Sequence, residues 1–79
     1  MVMIDEDRLD ETIDMLQSYV TASEIEILMS ALVNLRKEPD RLEYFNDVAQ
    51  AFNELGFVKG QVVNYAPYIP YLLSGNQTQ

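Results

Sequence analysis

The chain has 79 residues, a formal net charge of −8, 48% apolar residues, and neither cysteine nor histidine. That length supplies one small core and leaves no room for a second site-bearing domain. Without those two residue types there is no disulfide staple, no thiolate or imidazole metal ligand, and no cysteine or histidine for catalysis.

The charge is uneven. Through Asp40 ten acids face Arg8, Arg36 and Lys37, leaving −7; from Arg41 onward Glu43, Asp47 and Glu54 face Arg41 and Lys59, leaving −1. An acidic first half repels nucleic acid and anionic membrane and draws a basic partner, although its plainer use is solubility. The uncharged stretch from Gly60 onward is interrupted by prolines and polar residues, so no membrane span is expected. With no basic, apolar leader at Met1 to Asp7 and no cysteine, the expected compartment is the cytoplasm.

Met1 to Ile4 is an apolar lead-in to Asp5, Glu6 and Asp7, acids suited to a helix N-terminus. Leu9, Ile13, Leu16 and Val20 then step by four, three and four, one narrow apolar stripe flanked by Met15 and Tyr19. Asp10, Glu11 and Asp14 fall on the opposite face, so the first helix should lie on a bundle with a solvated acidic back. A very short link follows, which makes the next helix an antiparallel neighbour or a sharply bent one.

The second helix is expected to start at Thr21 or Ser23, since Thr21 with Glu24 and Ser23 with Glu26 both have capping-box spacing. Ile25, Leu28, Leu32 and Leu35 repeat at helical spacing, and Met29, Ala31 and Val33 widen the seam beyond that of a helix lying on a surface. This helix should therefore be central, with neighbours on more than one side. Arg36 and Lys37 suit its last turn, and Pro39 stops it.

Asp40 with Glu43 offers a capping box for the third helix, with Leu42, Phe45, Val48, Ala49, Phe52 and Leu55 as its buried face. Gly56 should end it in a left-handed conformation, with Phe57 folding back on Phe52. A fourth helix from about Val58 to Tyr65 should break near Pro67, and a short turn of helix should restart at Pro67 or Pro70. A strand at Gln61 to Tyr65 competes on composition but lacks a partner. Ser74 to Gln79 reads as a frayed polar tail.

Chemistry-bearing groups are few. No G-x-S-x-G elbow surrounds Ser18, Ser23, Ser30 or Ser74, and carboxylate pairs alone need a cleft that so short a chain can hardly enclose. The expectation is that the chain is not an enzyme and takes no cofactor. The acid cluster from Asp5 fails as a calcium loop, because Leu9 and Asp10 stand where a loop residue with an oxygen ligand and a glycine belong. Asn76-Gln77-Thr78 has the glycosylation spacing, read here as chance in a chain with no secretory signal.

The third helix, Gly56 and the segment after it have the outline of a helix-turn-helix, with Val62 six residues past the glycine, where that motif places a buried aliphatic. Against it stand the bulky Phe52 four residues before the glycine and a would-be recognition helix offering Lys59 alone. The most unusual stretch is NYAPYIPYLL, in which Tyr65, Tyr68 and Tyr71 recur every third residue alongside Pro67 and Pro70. Such a period aligns side chains as a ridge fit for an interface; the other reading is an apolar cover for the three-helix core.

The sequence therefore predicts an all-α fold, a small compact bundle of three firm helices plus a proline-broken fourth helical segment. Its core should include Ile25, Leu28, Leu32, Phe45, Phe52 and Leu55. The expected role is a non-enzymatic protein-interaction or regulatory module. One candidate surface is the acidic back with Asp10, Glu11 and Asp14, suited to a basic protein; the other is the ridge with Tyr65, Tyr68 and Tyr71, suited to a homodimer or a partner helix. Nucleic acid is disfavoured as a partner. The alternative is a regulator that either binds DNA through the helix-turn-helix outline or mimics DNA charge.

Overall fold

A cap by Asp5 opens the first helix of the computed structural model, which describes residues 4–75. Asp5 Oδ1 accepts the backbone N–H groups of Asp7 and Arg8 at 3.1 and 3.2 Å, two of the amides a helix start leaves without partners. Helix α1 then runs Glu6–Tyr19, α2 Glu26–Lys37, α3 Leu42–Asn53, α4 Val58–Tyr65 and α5 Tyr68–Gly75, with one 3-10 turn, Ser23–Ile25, leading into α2. Among the described residues there is no strand, and the bundle measures 32 × 22 × 18 Å.

α2 is the central element, packed against α1 on one side and α3 on the other. Leu28, Leu32 and Leu35 are all fully buried. Both links are short, 20–22 before the 3-10 turn and 38–41 after α2, so each flanking helix runs antiparallel to it. The outer side of α1 is covered by α4 and α5, which bring in Val62, Ile69 and Leu72. The six expected core residues are all buried, and Leu9, Leu16 and Val20 join them.

Several local expectations are corrected. Neither Thr21 nor Ser23 caps α2: the chain first makes its 3-10 turn, in which Ile25 N–H reaches Ala22 C=O at 3.2 Å, and this turn carries Ile25 into the core. The Asp40–Glu43 box does not form either. α3 starts one residue later than such a box requires, with Arg41 at the cap position, and the guanidinium of Arg41 draws Glu43 to 2.7 Å and Glu38 to 3.3 Å. Leu42, in the first turn of α3, is 66% exposed, while Ala51 takes a buried place and Ala49 only a partial one. Val33 on α2 is also exposed.

Gly56 has φ +64, the left-handed conformation expected of it. Phe57 does not fold back on Phe52; it is fully exposed. The ring of Phe52 is instead covered by Lys59, whose Nζ lies 4.9 Å from its centroid, and Leu55 is the turn residue that goes inward. α4 has the expected bounds. Pro67 breaks the chain and precedes α5, where Pro70 sits in the first turn and its missing N–H is not needed. α5 is longer than the short turn expected and carries Ser74 and Gly75 within it; Ser74 Oγ donates to Pro70 C=O at 2.8 Å. The rest of the expected tail, with Asn76, and the start of the lead-in lie outside the described residues.

Two results follow for stability. Leu32→Ala should cost about 2 to 5 kcal/mol in a denaturant titration, because a fully buried leucine leaves a cavity between packed helices; a loss well under that range would deny α2 its central place. The glycines should respond in opposite directions. A Cβ on either meets nothing within 4 Å, so only backbone preference acts. Gly56→Ala should destabilise by about 1 to 2 kcal/mol through its left-handed φ, whereas Gly60→Ala, inside α4, should stabilise by about 0.5 to 1 kcal/mol.

Candidate functional site

The acidic back of α1 is built by its amphipathic spacing: Leu9, Thr12 and Leu16 turn inward, and Asp10, Glu11 and Asp14 turn outward. Thr12 is the one buried polar residue among the described residues, and its Oγ1 donates to Arg8 C=O at 2.8 Å, so it costs no unpaired hydroxyl. The three acids are not equivalent. Arg36, from the far end of α2, reaches across with Nε to Asp10 Oδ1 at 2.6 Å and with Nη1 to Glu6 Oε1 at 3.0 Å. Asp10 is thus tied to α2, while Glu11 and Asp14 have no ion-pair partner among the described residues.

The same contact sets the chemistry of Arg36. Its hydrogen bond to Asp10 raises its pKa above the ordinary arginine value; desolvation opposes this and the charges of Asp10, Glu6 and Asp7 add to it. Arg41 is raised likewise, first by its hydrogen bond to Glu43 and then by the charges of Glu38, Glu43 and Tyr44, against a small desolvation. Both guanidiniums remain cations wherever the chain is folded.

Two more cations lie over aromatic faces, Arg8 at 5.0 Å from the Tyr68 centroid and Lys59 over Phe52. Four of the five cations are therefore engaged with other groups of the chain, and Lys37 is the one without such a contact among the described residues. Most of the carboxylates stay uncompensated.

The three tyrosines do not form one exposed ridge. Tyr65 closes α4 and Tyr68 opens α5, and the break at Ala66 and Pro67 between them destroys the three-residue period. Tyr65 is half-buried and stacks on Tyr19 of α1, centroids 5.2 Å apart and planes 9° from parallel. Tyr68 is buried, its hydroxyl oxygen accepting the Asp5 N–H at 3.0 Å and so tying the start of α5 to the start of α1. Tyr71 is 66% exposed and lies tilted against Tyr68, centroids 6.0 Å apart. Two of the three thus serve as cover for the core, the second of the two sequence readings.

What the sequence reading missed lies on the other flank. α2 and α3 leave a shallow groove between them, with Ala31 and Ala51 as its floor, Ile27 at one end, and Asp47 and Glu54 along the α3 side. Ile27 is 71% exposed. The signal is the spacing of Ile27, Ala31 and Asn34 on α2 against Asp47, Ala51 and Glu54 on α3, and Ile27 lies outside the main seam of α2. Among the described residues no three histidine, cysteine or carboxylate side chains are grouped to hold a metal ion, and no helix is long and apolar enough to cross a membrane.

Comparisons with protein-family models, with curated proteins and with solved structures found no match to this chain.

Tyr68 separates cover from contact. Tyr68→Phe should cost about 0.5 to 1.5 kcal/mol through the lost bond to Asp5, and Tyr68→Ala about 3 to 5 kcal/mol through the cavity. Tyr71→Ala should stay within about 0.5 kcal/mol of the parent, as surface changes do. Thermal melts with sedimentation at the same concentrations check this; a Tyr68→Ala variant that melts normally but changes mass would make Tyr68 an interface residue.

Proposed function

We propose that this chain is a non-enzymatic interaction module whose acidic surface binds a basic protein. The observation that carries the reading is the one-sided use of charge: four of five cations are engaged inside the molecule, and acids such as Glu11 and Asp14 are left facing solvent without a counterion. A surface of that kind raises the local concentration of a cationic partner and speeds its encounter. Without histidine and cysteine the chain lacks the commonest general base and the most reactive nucleophile, which supports a binding role over a catalytic one. In this reading the module works in the cytoplasm, where a cysteine-free chain loses nothing.

A second reading has a specific observation behind it. Gly56 at φ +64 and the fully buried Val62 match the turn and the packed aliphatic of a helix-turn-helix. Its second helix, α4, has eight residues and one cation, Lys59, already placed over Phe52. Phosphate neutralisation needs several cations, so the first reading is preferred.

Capture from a native lysate with the tagged chain, eluted along a salt gradient, tests both. A defined basic protein should elute at moderate salt, and the Glu11→Lys/Asp14→Lys variant should associate with it about tenfold more slowly. Recovery of the chain alone, held through high salt, would replace the reading with self-association. A salt-sensitive shift of duplex DNA at low ionic strength would favour the helix-turn-helix.

A further inference from the structure

From the groove between α2 and α3 we infer a docking site for a basic amphipathic helix of the partner protein, with Ile27 and Phe57 as its apolar anchors. The inference rests on the basic-partner reading and names where and by what means contact is made.

Ile27 lines the groove, and Phe57 follows three residues after Glu54, its last lining residue on α3. α2 and α3 are antiparallel, so the start of α2, with Ile27, lies beside the end of α3, after which Phe57 follows in the turn. A 71% exposed isoleucine in the groove and a fully exposed phenylalanine just beyond the end of α3 are what an apolar contact with another molecule requires. Ala31 and Ala51 keep the floor low, which lets a helix approach closely. On α2 the groove is lined from Ile27 to Asn34, which at the helical rise is about 11 Å, the length of some two turns of a bound helix.

Charge selects the occupant. Asp47 and Glu54 line the groove, and among the described residues no cation lines it and Asp47 has no ion-pair partner. A second copy of this chain, at −8 and with four cations engaged, would bring acids to an acidic groove. Nucleic acid would bring phosphates to it. A helix with leucine-like residues on one face and lysine or arginine beside them satisfies both the anchors and the carboxylates. The back of α1 then acts at a distance, through encounter, and the groove acts in contact, through residence.

The test uses the whole chain and a synthetic leucine-lysine amphipathic helical peptide, with a leucine-glutamate peptide as control, followed by backbone amide shifts and by binding kinetics. Shifts should gather at Ile27, Asp47, Glu54 and Phe57. Phe57→Ser and Asp47→Lys/Glu54→Lys should each weaken binding at least about tenfold, chiefly by faster dissociation, with unchanged melting because these side chains are exposed. Shifts confined to Glu11 and Asp14, with Phe57→Ser neutral, would overturn the groove yet leave the basic-partner reading standing. Equal binding of the two peptides would overturn the charge selection. Dimerisation abolished by Phe57→Ser would assign the anchors to a second copy and overturn the proposal. Failure of the parent reading shows separately, as the absence of any salt-labile basic protein in the lysate capture.

Discussion

Leu28, Leu32 and Leu35 form one stripe along α2, with Ala31 buried on one edge of it and Met29 half-buried on the other, so that helix has to be hidden from water over a wide arc, and the rest of the fold follows from that constraint. A helix with so wide an apolar face cannot lie on a surface. Its neighbours in sequence are the nearest source of cover, and links too short to cross the bundle bring them back antiparallel. α1 then has an outer side of its own to cover. Leu9 and Leu16 are fully buried only because α4 and α5 close over that side with Val62 and Ile69. In a chain of 79 residues with no disulfide, those last two helices complete the core and are no appendage to it.

How legible this was depended on range. Apolar spacing is a property of one helix, so the seam of α2, the stripe of α1, the bounds of α4 and the left-handed Gly56 could be read from their own stretches. Competition between partners could not. Glu43 has the spacing to cap α3, yet Arg41 stands closer to it as a charged donor and takes it. Arg36 suits the C-terminus of α2 on dipole grounds, but its longest reach is to Asp10 and Glu6, 26 and 30 residues away in the chain. The tyrosine period looked like one ridge because a period read from sequence assumes a continuous element, and Pro67 ends one helix before the next begins. The candidate site suffered in the same way. The acidic back was visible as a helical face, whereas the groove exists only where two helices meet, and the exposed Phe57 was hidden by the expectation that it would pack inward.

The charges divide accordingly into two populations. Arg36 joins the end of α2 to the start of α1, and Arg41 braces the link between α2 and α3, so the cations stand at the joints of the three-helix core. Exposed pairs of this kind add little stability each. Their larger effect is on what the surface presents, since a cation held by a near neighbour no longer neutralises the acids elsewhere. The net −8 is therefore carried by carboxylates on both flanks of the bundle, α1 on one and the α3 side of the groove on the other.

Phe57 is where the energetics of the fold and the proposed contact bear on each other. Packing that side chain onto Phe52 would bury a large apolar surface, worth about 1.5 to 3 kcal/mol relative to exposure. The contact that replaces it, an ammonium over a ring, is worth about 0.5 to 1 kcal/mol at an exposed site. Judged by the isolated chain, the exchange runs the wrong way by about 0.5 to 2.5 kcal/mol. The left-handed Gly56 permits a turn of either kind, so glycine does not force the phenylalanine out. In the proposed docking, a partner that covers the exposed Phe57 together with the exposed Ile27 would recover the difference. The bare apolar side chains and the carboxylates of the groove would then be two parts of one proposed recognition surface, apolar where contact is made and anionic where it is guided.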